Sequence, residues 1–280
     1  GVFEYTFTQP KFALNFSLTA NELESKRYRL EVSPIPVLLS FDMYLDYPAY
    51  TGKSDENITN NGNATIPEGT ILRWDLRTKS TDTVAFAYKD TIAFFNQNTH
   101  NFYYSKRVFE SLNYTIQTSN TQLKNYERLT FSIKSVKDQS PAIKVEMKQD
   151  STLQESLYFY GQISDDYGIS NLKLFYYPVD DMANRSELVL PSNATTFQEF
   201  THAFPSSLEL IDDTAYALYF EVADNDPFHN TKTTRSRVFN YNSKSENTIQ
   251  DLQLKEQNEL TKEFQKALNA LSEQDKNLET

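Results

Sequence analysis

Two short acidic segments carry the side chains that could do chemistry in this chain. They are Ser164–Gly168 and Ala223–Pro227, which lie some sixty residues apart. Carboxylate and amide oxygens are hard donors of the kind that Ca²⁺ prefers. If both segments lie at one end of the same fold, the candidate calcium ligands are Asp165, Asp166, Asp224 and Asp226, with Asn225.

A structural role in turns is the competing interpretation of these segments. Each follows an alternating apolar run, Leu157–Ile163 and Tyr216–Val222, and such alternation ending in Asp, Asn, Gly or Pro is typical of a strand entering a turn. Turn aspartates accept backbone hydrogen bonds, and Gly168 supplies permissive dihedral angles. Two turn sequences do not make a metal-loop signature. We therefore favour the turns and assign no catalytic residue, no metal ligand and no cofactor.

Other reactive groups give weaker indications of a catalytic or metal site. Paired carboxylates suggest a glycosidase, but carboxylates on turns without cleft-forming elements disfavour it. The histidines, His100, His202 and His229, lack the i,i+4 spacing of a helical zinc site and are interpreted as isolated surface residues. The chain contains no Cys, which excludes thiolate nucleophiles and disulfides.

Aromatic residues indicate a second possible function. Trp74 and the pairs Tyr103–Tyr104 and Tyr176–Tyr177 could form a stacking platform for a sugar. Adjacent residues of a strand face opposite sides of the sheet, so one ring of each pair is expected in the core. A carbohydrate-binding module therefore remains an alternative to a purely structural role.

Composition limits the class of protein. The 280 residues carry a net charge of −11 with a pI near 4.8, which disfavours nucleic acid and anionic membrane surfaces as partners. The 18 Tyr and 20 Phe indicate aromatic-rich strands. No run approaches the roughly 20 apolar residues that cross a bilayer. The strand-like start at Val2 and the helical end at Thr280 predict a fragment of a longer protein.

The predicted fold class is all-β, with tandem Ig-like β-sandwiches followed by a C-terminal α-helix. Proline-containing boundaries at Ser33–Pro36 and Asp138–Pro141 interrupt the alternating pattern, and the Asn-rich segment Asn57–Asn63 is predicted to be an exposed loop. The predicted parts are 1–33, terminal strands of a truncated preceding β module; 34–137, an Ig-like sandwich; 138–243, a second Ig-like sandwich; and 245–280, a helix that is the candidate start of a helical or coiled-coil region.

The helix prediction rests on a change of period. From Ser245 onward there is no Pro or Gly, and apolar residues recur on one helical face. Ser245 or Asn247 is the expected N-cap. The apolar stripe is narrow, so the helix either binds a partner surface or folds back on the second sandwich.

Several strings together resemble a family of Bacteroidetes envelope proteins of unknown function: Pro34–Pro36, Tyr47–Gly52, Pro67–Thr70, Asp165–Gly168 and Asp224–Asp226. The resemblance covers most of residues 34–280, although Pro227 stands where such repeats often have Gly. It implies N-terminal membrane helices, tandem Ig-like modules and a long helical C-terminal region. The family has no accepted catalytic residues to transfer.

The resemblance also implies a location and a role. The expected location is the periplasm or cell envelope, with an inner-membrane anchor supplied by segments outside this chain. The expected function is that of a non-enzymatic structural or interaction scaffold. Its expected partners are proteins that bind the C-terminal helix or the sandwich surfaces, and not nucleic acid.

Overall fold

The structure, a computed structural model, describes residues 2, 4–99, 101–149, 156–229 and 231–278. It divides into two compact units, residues 1–137 and 138–280. Within the described residues, the first unit contains two five-stranded sheets and two two-stranded sheets, the second unit contains two sheets, and one α-helix follows the last strand of the second unit. This architecture confirms the predicted fold class of tandem Ig-like sandwiches with a C-terminal helix.

Two five-stranded sheets form the sandwich of the first unit. Its strands within the described residues are β1 (Leu14–Phe16), β2 (Thr19–Ala20), β3 (Leu23–Glu24), β4 (Tyr28–Leu30), β5 (Val37–Asp46), β6 (Glu56–Thr59), β7 (Ala64–Pro67), β8 (Thr70–Lys79), β9 (Thr83–Tyr88), β10 (Thr91–Phe94), β11 (Asn96–Asn98), β12 (Asn101–Val108), β13 (Leu112–Ser119) and β14 (Glu127–Val136). One sheet has the order β10-β9-β13-β14-β7 and the other β11-β12-β8-β5-β6, while β1–β4 and β2–β3 form separate pairs.

A hydrogen-bond chain crosses the core of the first unit. Trp74 on β8 is fully buried, and its indole N–H donates to the hydroxyl of Tyr114 on β13, 2.9 Å away. That hydroxyl in turn donates to the main-chain carbonyl of Gly62 at 2.8 Å. A side chain at position 62 would lie 2.4 Å from the hydroxyl, so glycine permits this approach. This series of hydrogen bonds therefore links the two sheets of the sandwich to each other and to the segment before β7.

Replacing Tyr114 with Phe should lower the free energy of unfolding by about 1–3 kcal/mol, because it leaves two buried polar groups without a partner. Urea unfolding followed by the fluorescence of Trp74 measures the loss. Tyr103→Phe is the matched control, because its ring is 48% exposed, and it should change stability by less than about 0.5 kcal/mol. Equal stability of the two variants would contradict the proposed importance of the buried chain.

The second unit packs a three-stranded sheet, β15-β16-β19, against a sheet of order β18-β17-β20-β21, in which β22 also pairs with β20. Phe159 on β16 and Phe220 on β20 meet edge to face in the core, with ring centroids 5.1 Å apart. The strands are β15 (Ala142–Gln149), β16 (Leu157–Ser164), β17 (Ile169–Pro178), β18 (Ser186–Leu190), β19 (Phe197–Phe204), β20 (Ala215–Asp224), β21 (Thr233–Arg235) and β22 (Phe239–Asn242).

Edge positions account for most differences from the predicted strands. The loop predicted at Asn57–Asn63 begins with part of β6, which pairs with β5 at the edge of its sheet. The prediction was wrong there because an edge strand is mostly solvated and carries polar residues. The segment Arg235–Tyr241 is divided between two strands, β21 and β22. Between them the Ser236 hydroxyl accepts the N–H of Phe220.

The first residues also differ from the prediction. The alternation of Phe3, Tyr5 and Phe7 predicted a strand, but residues 4–8 form no regular element, and Phe3 lies outside the described residues. The ring of Phe7 packs 5.1 Å from that of Phe16 on β1. This segment is therefore packed through its aromatic rings and does not pair as a β-strand.

The C-terminal helix α1 spans Glu246–Leu278 and begins at a defined cap. The hydroxyl of Ser245 accepts the N–H of Thr248, and the N–H of Ser245 donates to Asp213. Ile249 in the first turn is half-buried, but the described side chains from Asp251 to Leu271 are exposed. Over these described side chains the helix therefore leaves the second sandwich after its first turn and does not fold back on it. No described helical segment is long and apolar enough to cross a membrane.

Candidate functional site

The two acidic segments meet at one end of the second unit. Asp224 is the last residue of β20 and pairs with Ile169 at the start of β17, directly after the first segment. Gly168 has a φ of 151°, and a side chain at this position would lie 2.7 Å from the amide nitrogen of Asn225. Glycine at 168 therefore allows the two segments to come into contact.

Hydrogen bonds of the turn type are present in both segments. One oxygen of Asp165 accepts the N–H groups of Tyr167 and Gly168, at 3.1 and 2.8 Å. One oxygen of Asp226 accepts the N–H of Phe228 at 2.8 Å. These contacts fit the turn interpretation, in which aspartate replaces a backbone acceptor. Other carboxylate oxygens of these segments, on Asp224 and Asp226, face the ammonium group of Lys232 instead.

Three aspartates surround one lysine in what we call the carboxylate cage, defined by Asp138, Asp224, Asp226 and Lys232. One carboxylate oxygen of each aspartate lies within 4.8 Å of the others. The Lys232 ammonium makes a short hydrogen bond to the Asp138 carboxylate. It lies 3.2 Å from the main-chain oxygen of Asp138, 3.2 Å from Asp226 Oδ2 and 3.6 Å from Asp224 Oδ2. A positive charge therefore occupies a site lined by four oxygens.

The cage contains more negative than positive charge in a buried setting. Burial raises the pKa of Asp138 and that of Asp224, because desolvation penalises the charged carboxylate. Burial also acts to raise the pKa of Asp226, but hydrogen bonds from Phe228, His229 and Lys232 outweigh it and lower that pKa. For Lys232, burial is outweighed by the hydrogen bonds to Asp138 and Asp226, so its pKa is raised.

The sequence identified only part of this arrangement. Asp224 and Asp226 belong to the cage, Asp165 lies close enough that its charge helps to raise the pKa of Asp138, and Asp166 is exposed. Asp138 and Lys232 were missed. Asp138 stands in a proline-containing boundary that resembled a linker, and Lys232 stands alone between two elements, so neither carried a local pattern.

The interpretation of the histidines as isolated surface residues is wrong for His202, which is half-buried, whereas His229 is exposed as predicted but is not isolated. His229 Nδ1 lies 2.6 Å from Asp226 Oδ2, at the rim of the carboxylate cage. His202 on β19 is half-buried and its ring lies 6.3 Å from that of Phe220. Burial lowers the pKa of His202. His100 lies outside the described residues.

Acidification should destabilise the protein through His202. Because its pKa is lowered on folding, the unfolded chain binds a proton first, at about pH 6.5. Stability from this group is complete above that pH and is lost as pH falls towards the folded-state pKa. His202→Phe should therefore flatten the dependence of stability on pH between about 7 and 5. Urea unfolding of both proteins, followed by tyrosine circular dichroism, measures this; parallel pH profiles would contradict it.

The predicted aromatic platform does not form at Trp74 and Tyr103–Tyr104, and of the second predicted pair Tyr176 packs edge to face against Phe204. Trp74 is buried, and Tyr104 stacks on it at 5.9 Å while Tyr103 faces outward. Two rings that the sequence analysis did not single out share an outer face instead. Tyr158 and Tyr160 alternate along β16 and are 49% and 42% exposed, and the hydroxyl of Tyr160 donates to Glu199.

Comparisons with known proteins give similarity in structure only. No known family and no curated protein matches the sequence. Among solved structures, the FN1–FN3 domains of chicken CNTN1 are 14% identical, with 83% of this chain and 78% of that chain covered and a TM-score of 0.26. Fibronectin(III)-like modules of Clostridium thermocellum CbhA are 13% identical, with 66% and 90% covered and a TM-score of 0.25. No function is transferred from these proteins.

Proposed function

We propose that this chain is a non-enzymatic structural and interaction scaffold of the bacterial cell envelope, and that its C-terminal helix is the part that binds another protein. The envelope location is supported by the resemblance of its turn and boundary strings to the Bacteroidetes family. The observation that carries the interaction role is the exposed apolar side of α1. Leu260, Phe264 and Leu271 are 61%, 75% and 63% exposed.

The spacing of these side chains specifies the kind of partner. Leu260, Phe264, Ala267 and Leu271 follow one another at intervals of four, three and four residues. This is the a/d spacing of a coiled-coil seam, which packs against another helix rather than against a sheet. The same seam on a second copy of the chain meets it by two-fold symmetry. We therefore propose a second copy as the occupant of this face.

The second sandwich then serves to hold the start of the helix at a defined position. The cap at Ser245 and Asp213 links the first turn of α1 to the segment before β20. Conformational freedom between helix and sandwich is reduced by this bond and by the half-buried Ile249. Such a link suits a scaffold, because a partner bound along the helix is held relative to the second unit.

Sedimentation of the full chain should show a dimer at high micromolar concentration, with helical circular dichroism that rises as the dimer forms. Phe264→Glu should return the chain to a monomer, because it places a charge in the seam. Gln265→Glu adds the same charge one residue away, off the seam, and should leave the dimer unchanged. A wild-type chain that stays monomeric throughout would exclude the second copy as the partner.

Carbohydrate binding is the second candidate, favoured by the exposed pair Tyr158 and Tyr160. Rings at i and i+2 of a strand stand on the same face about 6–7 Å apart, and Glu199 and Gln162 supply polar groups beside them.

Titration with soluble glycans should then shift the NMR signals of both tyrosine rings. Tyr158→Ala should abolish the shift, while Tyr103→Ala in the first unit should not; unshifted signals in the wild type would rule this function out.

A further inference from the structure

The carboxylate cage has the chemical character of a cation site. The Lys232 ammonium is held there by three carboxylates and one main-chain carbonyl, and all of these are oxygen ligands. Three aspartates against one lysine leave an excess of two negative charges if all are ionised. Buried charges are stable only when they are compensated. The Lys232 ammonium alone does not complete that compensation, and the only other basic group in contact with the three carboxylates among the described residues is the imidazole of His229, at Asp226.

Asp224 gives an independent indication of a ligand. Its side chain is completely buried, yet neither carboxylate oxygen accepts a hydrogen bond. Its cationic neighbour is Lys232, at 3.6 Å, while the nearby charge of Asp138 repels it. The second oxygen of Asp165 is also buried without a hydrogen-bond donor. A buried carboxylate is strongly unfavourable unless a cation or a hydrogen-bond donor satisfies it, and both oxygens of Asp224 belong to the cage.

We propose that the carboxylate cage is a Ca²⁺ site in which the divalent cation displaces the ammonium of Lys232. Displacement is feasible because the Lys232 side chain is 21% exposed and its flexible stem can move the charge into water. The cage supplies three carboxylates and a main-chain carbonyl. Ca²⁺ accepts six to eight oxygens in flexible geometry, whereas Mg²⁺ requires a near-ideal octahedron.

A bound Ca²⁺ would connect parts of the second unit that are far apart in sequence. Asp138 precedes β15, Asp224 ends β20, and Asp226 lies in the segment after it. A cation that binds all three only in the folded state stabilises that state by mass action. Lys232 then acts as a built-in substitute that keeps the cage folded when calcium is scarce.

Calorimetric titration of the full chain with CaCl₂ tests the proposal at constant ionic strength. The wild type should bind one Ca²⁺, and its melting temperature should rise at low millimolar calcium. Lys232→Met should bind Ca²⁺ severalfold more tightly, because the competing ammonium is removed. Asp224→Asn should lose binding, while Asp180→Asn, which neutralises an exposed aspartate of the same unit, should bind as the wild type does.

Two results would overturn the calcium site. The first is an absence of binding in both the wild type and Lys232→Met. The second is an equal response to CaCl₂ and MgCl₂ that Lys232→Met does not strengthen, which would indicate general screening of an acidic surface. If Asp224→Asn fails to fold, the comparison of Ca²⁺ binding by the wild type and by Lys232→Met still tests the proposed site. Folding of Lys232→Met only in calcium would support the proposal.

Discussion

Aromatic packing between the two sheets is the interaction on which each sandwich depends. In the first unit the Trp74 ring lies 5.0 Å from that of Phe86 on the facing sheet. In the second unit Phe159 and Phe220 make the corresponding contact at 5.1 Å. Immunoglobulin domains often brace this position with a disulfide beside the tryptophan, but this chain has no Cys. Offset and edge-to-face rings therefore join the sheets, each pair adding to the energy of simple burial.

This dependence explains which parts of the fold were predictable. A central strand such as β8 or β20 must place every second residue in the core, so its alternation is visible in the sequence. The edge strands β6 and β18 escape that requirement and were not predicted. The boundaries at residues 33 and 244 stay predictions, because compact units alone do not define where a module begins. The helix was predictable from its change of period.

The candidate site was less predictable than the fold, for a reason of chain topology. Asp138 and Lys232 are 94 residues apart, and no short-range pattern relates them. Sequence analysis found the turn aspartates because Asp is common at strand ends. It could not distinguish Asp165, which accepts two backbone N–H groups, from Asp224, which accepts none. That difference is set by burial and by the surrounding segments.

Burial also explains why the carboxylate cage and the helix face have opposite requirements. Charges inside the cage are removed from water, so their repulsion is strong and a cation must stay close to them. The apolar residues of α1 remain in water, so their stabilisation becomes available only when another surface covers them. The cage has an internal cation in Lys232 and is compensated in part within one chain. Phe264 and Leu260 have no such internal partner among the described residues, since α1 leaves the sandwich after Ile249. The second sandwich therefore holds a compensating charge of its own, whereas the apolar side of α1 depends on a covering surface for further stabilisation.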